Sequence, residues 1–324
     1  MRLIVYGAGA VGGVVGARLA QAANEVMLIA RGAHRDAIAA GGLRLRTPVE
    51  DTTIPIPVAG HPSELDFRGD DVVLLAMKSQ DTPDALGALH AVAPPTIAVA
   101  CLQNGVANER MASRFFERVY AVPVMLPAAH LEPGVVEAAS TPTTGILDVG
   151  RYPTGVDDTA RELSACFAAA TFSSRPDPQV MRLKNSKLIM NLGNAVQAVC
   201  APSAAAAELV KLARREGVAC MRSAGVDFAS VEEDRARRAD HLSWGEIDGK
   251  PRSGGSTWQS LARGLASVET DYLNGEIVLL GRLRGFATPV NALLQRTASS
   301  AAHSRLPPES LDAAELLAEL RTEG

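Results

Sequence analysis

RLIVYGAGAVG, residues 2–12, joins a short apolar run to glycines in the pattern G-x-G-x-x-G. Residues 2–6 predict a buried β-strand. Gly7, Gly9 and Gly12 follow at once, and the small residues after them predict a helix through about Leu19. A second apolar strand, Val26–Ala30, ends at Arg31. In a βαβ unit of this kind the first glycine permits a tight turn and the second lets a pyrophosphate approach the backbone. The third lets the helix pack on the strand, with the helix N-terminus facing the phosphates. An acidic residue at the end of the second strand would bind a ribose 2′-hydroxyl. This chain has Arg31 there, with Arg35 one turn on, which suits the 2′-phosphate of NADP. Gly7, Ala8, Gly9, Ala10, Val11, Gly12 and Arg31 are therefore candidate contacts to NADPH.

The length of 324 residues suggests two domains, and 47% apolar residues suffice to give each a core. Aromatic residues make up only 4%, so Ala, Leu and Val must do most of the packing. The net charge of −4 gives no reason to expect nucleic acid as a partner. Cys101, Cys166, Cys200 and Cys220 stand far apart in apolar surroundings, which reads as free thiols in a reducing cytoplasm. The histidines lack metal-ligand spacing, so no metal is expected. The glycines at 7, 9, 12, 13 and 16 argue against a signal peptide at the N-terminus. No later stretch supplies the ~18 apolar residues of a membrane span.

The first half alternates strands and helices, the pattern of an α/β, Rossmann-type domain with a mostly parallel sheet. Gly42–Arg46 and Thr53–Val58 read as strands of a local ribbon. Asp71–Met77, Thr96–Leu102 and Val119–Met125 read as further strands, with Gly145–Val149 a late one. Helices are expected near 82–92, 105–117 and 157–170. Lys78 and the Gln103-Asn104-Gly105 triplet follow strand ends, where ligands of such sheets bind. Ser173–Pro178 reads as a linker, dividing a domain 1–176 from an all-α domain 177–324. Helices there are expected at 179–199, 203–225, 228–238, 255–284, 288–303 and 311–322.

Within the first of these, Lys187, Asn191 and Asn194 lie at i, i+4 and i+7, one face of a continuous helix. Their apolar neighbours imply burial, and a lysine with two asparagines is costly to bury without polar partners. A lysine in such a cleft can hold a carboxylate and protonate a ketone. Lys184 lies one turn back, and composition does not choose between the two lysines. Gly193 would let another group approach the backbone. Gly254, Gly255, Ser256 and Thr257 head a further helix, where amides and hydroxyls suit either a carboxylate or an N-cap. Glu269 lies further along that predicted helix, and alone would read as a solvated face.

The order and spacing of these motifs resemble the ketopantoate reductase (2-dehydropantoate 2-reductase) family over nearly the whole chain. The matches are GAGAVG, Arg31, Lys78, the QNG at 103–105, Lys187 with Asn191, the S-T-x-Q at 256–259, and Glu269 ahead of DYLNG. The resemblance implies that the glycine loop, Arg31 and Lys78 hold NADPH, and that Asn104 touches cofactor and substrate. It implies that Lys187 is the general acid, that Asn191 positions the substrate and that Thr257, beside Ser256, contacts its carboxylate. Glu269 would orient the lysine, the substrate hydroxyl or the nicotinamide ribose. It also selects Lys187 over Lys184, because only Lys187 has an asparagine four residues on. Two positions depart from the family pattern. Ala195 stands where a further asparagine is expected, with Asn194 one residue earlier, and Pro127–Glu132 (PAAHLE) lacks a threonine-rich character.

The expected function is therefore NADPH-dependent reduction of 2-dehydropantoate to pantoate, in pantothenate biosynthesis. Two alternatives are a reductase of another 2-oxo acid and a non-catalytic NADPH-binding regulator, which would have no need of a proton donor. The expected partner is a small 2-oxo acid, with neither nucleic acid nor membrane, and a homodimer is left open.

Overall fold

A computed structural model describes residues 1–249 and 254–322. Two compact units account for it, Met1–Lys184 with Ser230–Arg252, and Asn185–Ala229 with Ser253–Gly324. The division falls inside a helix, Val180–Asn191, and the chain revisits the first unit after residue 229.

The first unit is built on a seven-stranded sheet. Its strands are β1 (Leu3–Tyr6), β2 (Val26–Ile29), β3 (Val58–Ala59), β4 (Val72–Leu75), β5 (Ala98–Cys101), β6 (Arg118–Ala121) and β7 (Gly150–Arg151). The spatial order is β7-β6-β5-β4-β1-β2-β3. Every pairing is parallel except that of β7 with β6. Alternation along each strand explains why these runs are apolar throughout. Leu3, Val5, Leu74 and Ala100 join one buried cluster with Val14, Val15 and Leu19 of the helix Ala10–Gln21. Ile4, Val73, Leu75, Val99 and Cys101 join another with Leu86, Leu89 and Phe116. Both faces are covered, as a parallel sheet requires.

Several expected strands take other partners. Leu43–Arg46 pairs with Asp51–Ile54 as the expected ribbon, but that strand stops at Ile54, and Val58–Ala59 becomes an edge of the main sheet. The run 119–125 divides at Val122-Pro123, and Val124–Met125 turns away to pair with Gly145–Leu147. That late strand therefore lies outside the main sheet, whose antiparallel edge is Gly150–Arg151. The returning segment is held by Leu242–Trp244, which pairs with Ser140–Pro142.

Among its described residues the second unit is helical. Its helices include Asn194–Val199, Ala204–Ser223, Ser256–Ala262, Asn274–Arg284, Pro289–His303 and Ala313–Thr322. Two helices expected to be continuous are broken. The segment 255–284 stops at Ala262 because Gly264 turns left-handed (φ +65°) and the amides of Gly264 and Leu265 fold back on the Leu261 and Ser260 carbonyls. Glu269 therefore sits on a separate 3₁₀ turn, Glu269–Tyr272. The segment 179–199 breaks at Leu192-Gly193. No described helix is long and apolar enough to cross a membrane.

Candidate active site

In the first unit four strands end in register. Tyr6 stands opposite Ile29 and Leu75, and Leu75 opposite Cys101. Gly7, Arg31, Lys78 and Asn104 follow these ends within three residues, so the topology gathers them at one rim of the sheet. The glycines have distinct reasons. Gly7 adopts φ +100°, and a Cβ there would lie 2.6 Å from the Met77 amide nitrogen. A Cβ on Gly12 would press into the Gly7 carbonyl and the side chains of Val5 and Ala76. At Gly9, by contrast, nothing lies within 4 Å of the place a Cβ would occupy.

The amides of Gly7 and Ala8 are both donated to the Ile29 carbonyl (3.0 and 3.2 Å). Gly9 is the N-cap of the helix Ala10–Gln21, which has no side-chain cap and no acidic residue in its first turn. First-turn amides have no partner within their own helix, so this end suits a diphosphate. Arg31, exposed, is the N-cap of the helix Gly32–Gly41. Its charge is felt at the end of β1, where burial raises the Tyr6 phenol above its usual range and Arg31 opposes the rise. Arg35 is paired with Asp36 at 2.8 Å. These residues fit a nicotinamide dinucleotide.

Behind Lys78 and Asn104 lies a buried amide and hydroxyl network that sequence reasoning missed. Gln103 Nε2 donates to the Met77 carbonyl (2.9 Å) and to Thr82 Oγ1 (2.8 Å). Thr82 donates onward to Asn108 Oδ1 (2.9 Å), and Asn108 Nδ2 donates to Ser79 Oγ (3.0 Å) and the Asn104 carbonyl (3.1 Å). The loops after β4 and β5 are thereby fixed to each other. Next along the chain, Glu109 forms a buried ion pair with Lys184. Both side chains are almost fully enclosed, 0% and 2% exposed. The Cys101 thiol records the same surroundings: burial raises its pKa, Glu109 adds to the rise, and Lys184 opposes it.

In the second unit Lys187, half-buried, and Asn191, buried, lie one turn apart on Val180–Asn191. The face they share does not continue to Asn194. The helix ends at Asn191, and Asn194 is the first residue of the next one. Side chains occupy the carbonyls at this break: Arg214 Nη2 donates to Met190 (2.9 Å) and Asn274 Nδ2 to Leu192 (3.0 Å). Gly193 is required there because a Cβ would meet Val210 at 2.9 Å. Asn274 also donates to Asn291 Oδ1 (3.0 Å), so the DYLNG stretch that follows Glu269 braces the turn after Asn191. Glu269 and Thr257 are both buried, and the helix bearing Ser256 and Thr257 packs on the one that Asn194 begins.

Residues 3–153 match the ketopantoate reductase PanE/ApbA family, and residues 179–301 match its C-terminal domain. The chain belongs to the ketopantoate reductase family. A 2-dehydropantoate 2-reductase of Pyrococcus horikoshii is 28% identical over 91% of this chain and 95% of its own. Among solved structures, a PanE/ApbA family ketopantoate reductase of Ralstonia eutropha is 30% identical, covers 94% of this chain and 99% of its own, and superposes with a TM-score of 0.79. D-mandelate dehydrogenase, solved with NADH and anilino(oxo)acetate, has the same TM-score of 0.79 at 21% identity, covering 94% of this chain and 99% of its own. At that identity the likeness is one of fold.

Family membership and the ion pair bear on the same question. In this ketopantoate reductase family member Lys184 is neutralised inside the protein, whereas Lys187 keeps part of its surface exposed. Lys184 and Glu109 lie 75 residues apart, so no local pattern announces the pair. Asn274 was visible in the sequence within DYLNG, but nothing local marks its partners. Among the described residues no group of three His, Cys, Asp or Glu side chains gathers as a metal site would need.

Proposed function

We propose that the protein is an NADPH-dependent 2-oxo acid reductase whose substrate is 2-dehydropantoate, reduced to pantoate for pantothenate biosynthesis in the cytoplasm. The observation that supports the reading is the difference between the two lysines: Lys184 is enclosed in an ion pair with Glu109, whereas Lys187, with Asn191 one turn on, keeps part of its surface exposed. Gly7, Ala8, Gly9, Ala10, Val11 and Gly12 would hold the diphosphate, Arg31 the 2′-phosphate, and Lys78 and Asn104 the rest of the cofactor at the strand ends. NADPH, when bound, supplies a hydride to the carbonyl carbon. Lys187 Nζ donates the proton that the ketone oxygen needs to become a hydroxyl, so the 2-oxo acid leaves as a 2-hydroxy acid. Asn191 and Asn194 orient the substrate by hydrogen bonding. Ser256 and Thr257, at the start of their helix, hold the carboxylate, and Glu269 orients Lys187. The four free thiols support a reducing compartment.

A second reading keeps the chemistry and changes the acid. Ala195 is buried and places no amide in a pocket, and Pro127–Glu132 differs from the family pattern. The test is consumption of NADPH and of NADH by the purified protein with 2-dehydropantoate beside a panel of bulky 2-oxo acids. Turnover confined to NADPH with 2-dehydropantoate supports the first reading. Faster turnover of another acid supports the second, and none with any acid refutes both.

A further inference from the structure

His34 stands one turn into the helix that follows Arg31, and both of its ring nitrogens are engaged. Nε2 lies 2.7 Å from the Ala8 carbonyl oxygen, and Nδ1 accepts the Gly134 amide at 2.9 Å. A carbonyl can only accept and an amide N–H only donate, so the ring is the neutral tautomer with its proton on Nε2. Gly134 (φ +77°) lies in the hairpin between Ala128–Ala129 and Val135–Ala138, and a Cβ on it would meet Ala37 at 3.0 Å. From the same hairpin His130 lays its ring against His34, centroids 4.1 Å apart, and its Nδ1 is 3.0 Å from the Val135 carbonyl. His130 belongs to Pro127–Glu132, the stretch that departs from the family pattern. A single imidazole thus ties that stretch to the glycine loop.

A trans peptide is planar, with its carbonyl and the following N–H pointing in opposite directions. Holding the Ala8 carbonyl against His34 therefore turns the Gly9 N–H the other way. We propose that His34 is a positioning residue for the dinucleotide: it sets the Ala8–Gly9 peptide so that the Gly9 amide is presented to the diphosphate, and the 130–134 hairpin holds the imidazole in place. The proposal rests on the reading of the glycine loop as a nicotinamide dinucleotide site. The diphosphate is common to NADPH and NADH, so His34 affects both equally, whereas Arg31 distinguishes them.

The experiment is fluorescence titration of the full chain with NADPH and with NADH, for wild type, His34→Ala, His34→Gln and His34→Asn. Glutamine can carry an amide N–H to the place of Nε2. Asparagine is too short to reach Ala8 but can still accept from Gly134. Losing one hydrogen bond to an enclosed carbonyl corresponds to about tenfold in Kd. His34→Ala and His34→Asn are expected to weaken both nucleotides about tenfold, His34→Gln by less than about threefold, with kcat at saturating nucleotide unchanged. Thermal melts show that each variant is folded at the assay temperature, and if His34→Ala is not, the Gln and Asn variants decide. Wild-type affinity in His34→Ala overturns the proposal, as does equal weakening in His34→Gln and His34→Asn. A loss confined to NADPH also overturns it, because His34 would then be reading the 2′-phosphate. Wild type that binds neither nucleotide overturns the dinucleotide reading itself, and the proposal with it.

Discussion

Replacing Lys184 by methionine separates the two lysines of one helix. The Glu109 carboxylate it faces is fully enclosed, and one of its oxygens, Oε2, already has no hydrogen-bond partner. Removing the ammonium leaves an uncompensated buried charge, which costs about 3–5 kcal/mol. At roughly 2–4 °C per kcal/mol for a domain of this size, the melting temperature should fall by about 6–20 °C. The double variant Glu109→Gln/Lys184→Met removes both charges and should regain most of the loss, because the original pair also carries a desolvation penalty. Lys187→Ala should behave in the opposite way. Its side chain is half-exposed, so stability should change by less than about 1 kcal/mol. Turnover should fall by ~10²-fold, the usual worth of a general acid. Thermal melts of the three variants, with turnover measured below every transition, read both effects. A Lys184→Met protein as stable as wild type would refute the energetic argument. One that melts normally yet has lost turnover would make Lys184 the proton donor and displace Lys187.

Arg31→Ala should weaken NADPH about tenfold or more and leave NADH unchanged, since a charge-assisted bond to the 2′-phosphate is lost; equal weakening of both nucleotides in titration would assign Arg31 to a group that the two share. Gly9→Ala should keep the wild-type melting temperature, because the space is open, and lower nucleotide affinity. Gly12→Ala should instead destabilise the fold, its Cβ meeting the Gly7 carbonyl, and equal melts for the two would contradict the packing. Glu233 accepts both guanidinium nitrogens of Arg182 (3.0 and 3.1 Å) and caps its own helix, and its pKa is lowered from an ordinary 4.5 to about 2. A depressed carboxylate stabilises the fold above its unfolded pKa and loses that contribution as pH falls toward 2. Glu233→Gln should therefore flatten the acid side of a stability–pH curve, and an unchanged slope between pH 4.5 and 2 would count against the pairing.

The rim that gathers Gly7, Arg31, Lys78 and Asn104 was legible because its signals are local. An apolar run that ends abruptly in glycine, arginine, lysine or asparagine marks the end of a buried strand, and parallel strands put those ends at one rim. What stayed hidden depends on partners remote in sequence. Gln103 stands in the strand-end triplet and Asn108 in an expected helix, and nothing local shows that Thr82 and Ser79 join them. Lys184 reads as a second candidate proton donor until Glu109 is opposite it. The strand Leu242–Trp244 has a partner a hundred residues earlier, which is why a division by composition assigned its segment to the helical half. Helix periodicity likewise continues through Gly193 and Gly264, and only tertiary donors and left-handed backbone show where the helices stop.

The break at Leu192-Gly193 changes how the substrate side should be compared with other ketopantoate reductases. Counting from Lys187 assigns the family's further asparagine to position 195, but a count along a helix has geometric meaning only while the helix continues. Ala195 is buried, and its short helix packs on Ser256–Ala262 and Pro289–His303. An asparagine there would have to bury its amide or displace that packing. Asn194 is half-exposed at the new N-terminus, so an amide there stays out of that packing. Its direction is set by the turn, and the turn is held by Asn274, which follows Glu269 in the chain and is itself bound to Asn291. The proposed substrate role of Asn194 therefore depends on the brace at Asn274. A swap of Asn194 and Ala195 that ignores the brace would move the amide into the core rather than restore the family arrangement.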